Sequence, residues 1–230
     1  MNINYEVFDS KIIHNYLSHD SFDYKITSRK AIALILSLKD YGIKTINIYL
    51  EKQASLVLSV FDFTKTNTEL AINLYLQGKE ARCYLGIATI ANKVAKKYQV
   101  QINNKKPQSV SELEIVSVAR NGGNVSVNGY SKIYRNSHQA MVTQKARGVV
   151  FDDDSMIKLA PELRIDHNDV VAAHSLSVGE INPDEVFYLT SRGFSKSEAH
   201  NMILRGYFRD LVLKSHSQEP DVLYQEVDHV

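Results

Sequence analysis

Apolar residues recur at every second position through most of the chain between about Lys44 and Ala173. Ile46, Ile48 and Leu50 alternate with polar neighbours, as do Leu56, Leu58 and Val60, and Ile72, Leu74 and Leu76. The same step continues in Val100 and Ile102, Leu113 and Ile115, Val116 and Val118, Val125 and Val127, Val149 and Phe151, Ile157 and Leu159, and Leu163 and Ile165. A period of two is that of a strand with one buried and one polar face. Turn formers punctuate the runs: Asn67, Gly78, Asn103-Asn104, Asn121-Gly122-Gly123-Asn124 and Asp152-Asp153-Asp154. About ten short strands over ~130 residues predict an all-β sandwich, barrel or solenoid. Periodicity does not separate the three. No repeat of fixed length shows, so a solenoid would have to be an irregular one.

The ends of the chain read differently. Ser28 to Lys39 suits a helix or a buried strand, and the turn-like Asp40-Tyr41-Gly42 after it favours strands. After Gly179 the pattern becomes helical. Asn182 is a good N-cap, Pro183 suits the first helical position, and Asp184 and Glu185 match the positive end of the helix dipole. Val186, Leu189 and Thr190 line one side, and Gly193 fits the stop. Ser195 and Glu198 have the spacing of a capping box, and Ala199, Met202, Ile203, Tyr207 and Val212 follow at three- and four-residue steps as one buried face. The expectation is a hairpin of two helices, roughly ten and fifteen residues long. This divides the chain into an N-terminal segment (1–44), a β core (45–179), a helical segment (180–214) and a polar, poorly ordered tail (215–230).

Composition narrows the function classes. With 27 Lys and Arg against 26 Asp and Glu, the net charge of +1 gives no electrostatic case for nucleic acid or an anionic membrane. Cys83 is the single cysteine, so an intrachain disulfide and a cysteine-based metal site are both excluded. The N-terminus lacks the basic and apolar regions of a signal peptide, and the longest apolar stretch, Ala31 to Leu38, is too short to span a bilayer. A cytoplasmic, soluble protein is expected.

Catalytic motifs are absent: there is no Gly-rich phosphate loop, His-Glu-x-x-His, Gly-x-Ser-x-Gly or Cys-x-x-Cys. Asp152, Asp153 and Asp154 have the chemistry a polysaccharide-acting β-helix enzyme needs, though an acidic triplet beside a serine is ordinarily a solvated turn. Among eight histidines none pair at a helical metal spacing; His167 and His174, seven apart across a strand and turn, could meet on neighbouring rungs, a spacing of little specificity. Cys83 reads as a small buried hydrophobe. His174, in Val170-Val171-Ala172-Ala173-His174-Ser175-Leu176-Ser177-Val178-Gly179, is by itself no more than a packed histidine.

The C-terminal block carries more. Leu163-Arg164-Ile165-Asp166-His167-Asn168-Asp169-Val170, then Ala172 to Gly179, then Phe187-Tyr188-Leu189-Thr190-Ser191-Arg192-Gly193-Phe194 and Gly206-Tyr207-Phe208 resemble, in order, the signature of the SufB/SufD family. These are scaffold subunits of the Suf iron–sulfur cluster assembly machine. Weaker similarity reaches upstream through Leu76-Gln77-Gly78, Asn103-Asn104, Pro107 and Ser109-Val110-Ser111, so the likeness covers roughly residues 45–213.

The resemblance implies a right-handed parallel β-helix (solenoid) with a C-terminal α-helical hairpin. The subtype looks like SufD, since SufB members carry Glu-His-Glu-Ala-type sequence here and use a cysteine in preceding rungs. It implies a non-enzymatic scaffold that pairs with a SufB-like subunit, or acts as a homodimer, and holds no stable cofactor. A transient iron–sulfur cluster at the partner interface would take His174 as a ligand. Many SufD sequences have a cysteine where this chain has Ala172, which leaves imidazole as the soft donor. The helical segment implies docking of a SufC-like ABC ATPase through Val186, Phe187, Leu189, Arg192, Ile203, Arg205, Tyr207 and Phe208. Family members commonly carry a longer N-terminal helical region, so the chain is expected to be a trimmed scaffold.

Overall fold

The computed structural model describes residues 3–7, 11–16, 21–37 and 43–215. Among the described residues fourteen strands precede two helices. The strands are β1 (Ile3–Val7), β2 (Lys11–Tyr16), β3 (Ser21–Ile26), β4 (Ala31–Ser37), β5 (Ile43–Leu50), β6 (Ser55–Asp62) and β7 (Thr68–Leu76), followed by β8 (Arg82–Asn92), β9 (Ala95–Asn104), β10 (Val110–Arg120), β11 (Asn124–Ile133), β12 (Ala140–Val150), β13 (Met156–Ile165) and β14 (Val170–Gly179). The helices are α1 (Pro183–Ser191) and α2 (Lys196–Lys214). Odd-numbered strands form one seven-stranded sheet and even-numbered strands the other, in sequence order. Every described pairing is parallel. The chain is therefore a parallel β-solenoid, each coil adding one strand to each sheet. Sandwich and barrel are excluded.

Alternation along each strand makes this possible. On β5 to β7 the inward positions are Ile46, Ile48, Leu50, Leu56, Leu58, Val60, Leu70, Ile72, Leu74 and Leu76, each at most 1% exposed and joined in one core cluster. In-register parallel pairing stacks them in columns, as in Ile46 on Ile72 on Val100. The alternation fails on β8, which is buried on both faces, because α2 lies across the outside of that sheet. For the same reason Leu113–Ile115 and Val116–Val118, which read as two runs, are one strand, β10.

Coil length varies while one corner does not. Arg29, Gln53, Glu80, Gln108 and Gln139 all have left-handed φ, between 55° and 62°. Each donates its main-chain N–H to a carbonyl of the next coil: Lys52, Lys79, Pro107, His138 and Asp169 in turn. The position that follows is small and fully buried in Ala54, Ala81, Ser109 and Ala140. Separations such as 24, 27 and 31 residues hide this repeat from a search at fixed period. Gly78 lies beside the same corner, where a Cβ would come within 2.0 Å of the Lys52 main-chain nitrogen.

Among the described residues the lumen also holds an ion pair. Lys96 Nζ lies 2.7 Å from Asp62 Oδ1, with both side chains fully buried, and donates to Thr64 Oγ1 (2.6 Å) and Thr68 Oγ1 (3.2 Å). Tyr98 donates its hydroxyl proton to Asp62 Oδ2 (2.6 Å). Burial pulls the Lys96 ammonium below its ordinary range and pushes the Tyr98 phenol well above its own. Desolvating two charges offsets much of their attraction, but removing one partner strands the other. Lys96→Met is expected to destabilise the fold by about 3–5 kcal/mol, read as a lower urea midpoint. Adding Asp62→Leu should recover most of the loss.

Candidate functional site

The solenoid ends on β13 and β14. Among the described residues each pairs on one side only, β13 with β11 and β14 with β12, so both present an unpaired row of main-chain N–H and C=O groups. The register fixes which side chains face inward. Val142, Gln144 and Ala146 of β12 are buried, and Ala172, His174 and Leu176 of β14 stack directly on them. His174 therefore belongs to the lumen column. It is exposed because no further coil among the described residues covers it. Ile165, Leu176 and Val178, inward by the same register, are 46–48% exposed. The open end is an apolar terrace bearing one imidazole.

Beneath it, the Gln144 amide spans the lumen. Its Nε2 donates to Ser131 Oγ (2.7 Å), Gly129 O (3.2 Å) and Glu162 O (3.3 Å), while its buried Oε1 accepts no hydrogen bond. A buried acceptor left unpaired costs about 1–3 kcal/mol.

His174 has no acidic neighbour in hydrogen-bond contact, and no group of three or more His, Cys, Asp or Glu suited to a metal occurs among the described residues. Ala172 stacks in the column of Cys83, Ser111 and Val142. Cys83 itself is buried far from the open end, and burial pushes its thiol up to about 12, so it stays protonated and unreactive.

The other sequence candidates separate. His167 does not meet His174; its ring lies 6.4 Å from that of His138. Its Nδ1 accepts the Asp169 N–H at 3.0 Å, so a neutral ring carries its proton on Nε2 and has no free lone pair for a metal. Asn104 and the two serines of the Asn103-Asn104 to Ser111 stretch form a buried clasp, with the Asn104 amide donating to Ser109 Oγ (3.1 Å) and accepting from Ser111 Oγ (2.9 Å). Asp152 caps a corner, accepting from the Ser155 hydroxyl (2.7 Å) and the main-chain N–H groups of Asn121 and Gly122. The Ser155 bond first, then those main-chain donors, hold its carboxyl below the ordinary range. A general acid needs the opposite shift.

The helices start where the sequence places them. Asn182 Oδ1 accepts the Asp184 N–H, and Ser195 and Glu198 close a capping box. Gly193 adopts φ +96° between them. α2 is longer than expected because its apolar face continues through Leu211 and Val212 along the sheet. Of the eight residues expected on a docking surface, Ile203 and Phe208 are not available: both are buried, Phe208 edge-on to Phe63 at 5.7 Å. Tyr207 is half-buried, under the Arg147 guanidinium at 4.4 Å and hydrogen-bonded to Glu185 at 3.4 Å. Val186 and Leu189 are half-buried. Phe187, Arg192 and Arg205 are exposed. Met202, expected inside, is 44% exposed, because the buried stripe of α2 runs through Leu204, Phe208 and Leu211 instead. α1 buries no residue, leaving Phe187 at 73% and Tyr188 at 56% exposure side by side, with Arg192 stacked 5.0 Å from the Tyr188 ring. Tyr188 was missed for want of any helical period marking an outward apolar face. No helix among the described residues is long and apolar enough to cross a membrane.

Comparison with known proteins points to one family. The family model described as "SUF system FeS cluster assembly, SufBD core domain" matches residues 34–207. The iron-sulfur cluster assembly protein SufD of Bacillus subtilis is 34% identical over 85 residues, 37% of this chain and 20% of that protein. A SufBD family protein of Methanothermobacter thermautotrophicus is 40% identical over 83 residues, 34% of this chain and 20% of its own. One from Mycobacterium tuberculosis is 31% identical over 101 residues, 44% of this chain and 12% of that protein. The matched segment thus spans a fifth or less of each of these relatives.

The assignment of Asp152 to a corner cap has a pH signature. Because its folded carboxyl is held low, its contribution is present above the unfolded value and is lost as pH falls through the folded one. Asp152→Ala is expected to lower the melting temperature at neutral pH, with the gap from wild type closing as the medium is acidified through the carboxylate range.

Proposed function

The chain belongs to the SufBD family of iron–sulfur cluster assembly proteins, and on that premise we propose that it is a SufD-like scaffold subunit without catalytic activity of its own. The observation that carries this reading is the uncapped last coil. It offers two strand edges for pairing, an apolar terrace for burial and His174 as a lone donor at the seam. A SufB-like subunit seated on β13 and β14 would satisfy the edges and enclose the imidazole. The growing cluster is cargo. One neutral imidazole from this side is a suitable iron ligand, and an incomplete ligand set lets the cluster leave. A SufC-like ABC ATPase fits the other free surface, where Phe187 and Tyr188 project from α1 while α2 anchors the hairpin to the sheet.

Co-expression with SufB-like and SufC-like partners is expected to yield one complex on co-purification. Recovery of this chain without either partner would overturn the proposal, and its recovery as a homodimer alone would assign the strand edges to a second copy. His174→Ala should leave that complex intact and abolish cluster formation, read from the iron and sulfide content of the purified complex. Replacing Phe187 and Tyr188 by Ser should weaken ATPase binding by about 2 kcal/mol, roughly 30-fold, while SufB-like pairing persists.

A further inference from the structure

The residue beneath His174 has a hydrogen-bonding capacity that nothing fills. Gln144 is 2% exposed, and two of the three acceptors around its Nε2 are main-chain carbonyls, of Gly129 and Glu162. Carbonyls have no proton to give, so the amide has only one orientation, and its free end is the oxygen. That oxygen is buried and unpartnered on the last covered coil. His174 is the residue stacked on Gln144 across the β12–β14 register, at a strand spacing of about 4.8 Å. Its neighbours on the same inward face of β14, Ala172 and Leu176, carry no side-chain donor, and neither do Leu163 and Ile165 of β13. Among the inward side chains of β13 and β14, the His174 imidazole is the one that carries an N–H. Its ring makes no hydrogen bond in the conformation described, and histidine χ2 is a soft torsion.

We propose that Gln144 is a positioning residue for His174, its Oε1 accepting the imidazole N–H so that the ring is held in one neutral tautomer with its lone pair toward the open end. A histidine serves a metal through the nitrogen that lacks the proton, and the partner of the other nitrogen decides which that is. The anchored amide supplies this partner from within the chain. The use of the lone pair rests on the cluster-assembly reading; the tautomer does not.

The test is ring-nitrogen NMR of the full chain labelled with 15N-histidine, at about pH 8.5, where an ordinary imidazole is neutral. The His174 signals are identified by their loss in His174→Asn. One protonated and one unprotonated nitrogen, fully resolved, are expected in the wild type. Gln144→Met should merge them toward the average of two exchanging tautomers. Ser131→Ala, which removes the shortest anchor of Nε2 but keeps the amide, should shift them part of the way and serves if Gln144→Met does not fold. Averaged signals in the wild type would overturn the proposal. So would a single tautomer left unchanged by whichever of the two variants folds. Iron, sulfide and partners are absent from this measurement, so a failure here is distinct from a failure to form the complex.

Discussion

Parallel strands direct their hydrogen bonds along the axis of a solenoid, so each coil is completed only by the one after it. From this constraint comes the organisation of the whole molecule. Side chains stack in columns, and every inward position inherits its environment from the coils above and below. Among the described residues the coil of β13 and β14 has no successor. Its inward face, buried in the described coils beneath it, becomes surface without any change in local sequence, and a lumen histidine becomes an accessible one. The candidate site is an ordinary rung laid open.

Polar groups within the lumen show how tightly the stacking is specified. Asp62, Lys96 and Tyr98 come from two strands of opposite sheets and satisfy one another only when the coils are in register. A slip of one residue would turn all three outward and bring their neighbours in. The pair has little net worth as attraction; what it penalises is misalignment. The Asn104–Ser109–Ser111 clasp acts similarly at a corner, closing a turn inside one coil.

Much of this was legible because it is local. The caps at Asn182 and Ser195 and the stop at Gly193 each depend on a few consecutive residues. So does the alternation of β5 to β7. What resisted reading depends on the third dimension. The period of two vanishes on β8 because α2 covers its outer face, which no short window of sequence can report. His167 is near His174 in sequence but stacks by coil with His138. The corner repeat around Gln53, Glu80, Gln108 and Gln139 was in plain view, yet its step drifts from coil to coil. For the open end, the C-terminal signature pointed to His174, whereas Gln144, thirty residues earlier, had no mark except its place beneath it.

The corner where Arg29, Gln53, Glu80, Gln108 and Gln139 recur uncouples the contour length of a coil from its rise. Each of these residues grips the next coil through its own N–H, so the pitch is reset once per coil, however many residues have passed. Extra sequence can be looped out elsewhere on the circumference without accumulating error down the axis. Such a solenoid resembles a stack threaded on a single rod: it tolerates uneven plates as long as every plate keeps its hole. Insertions should therefore be accepted almost anywhere on the perimeter, and refused at the five positions that hold the thread.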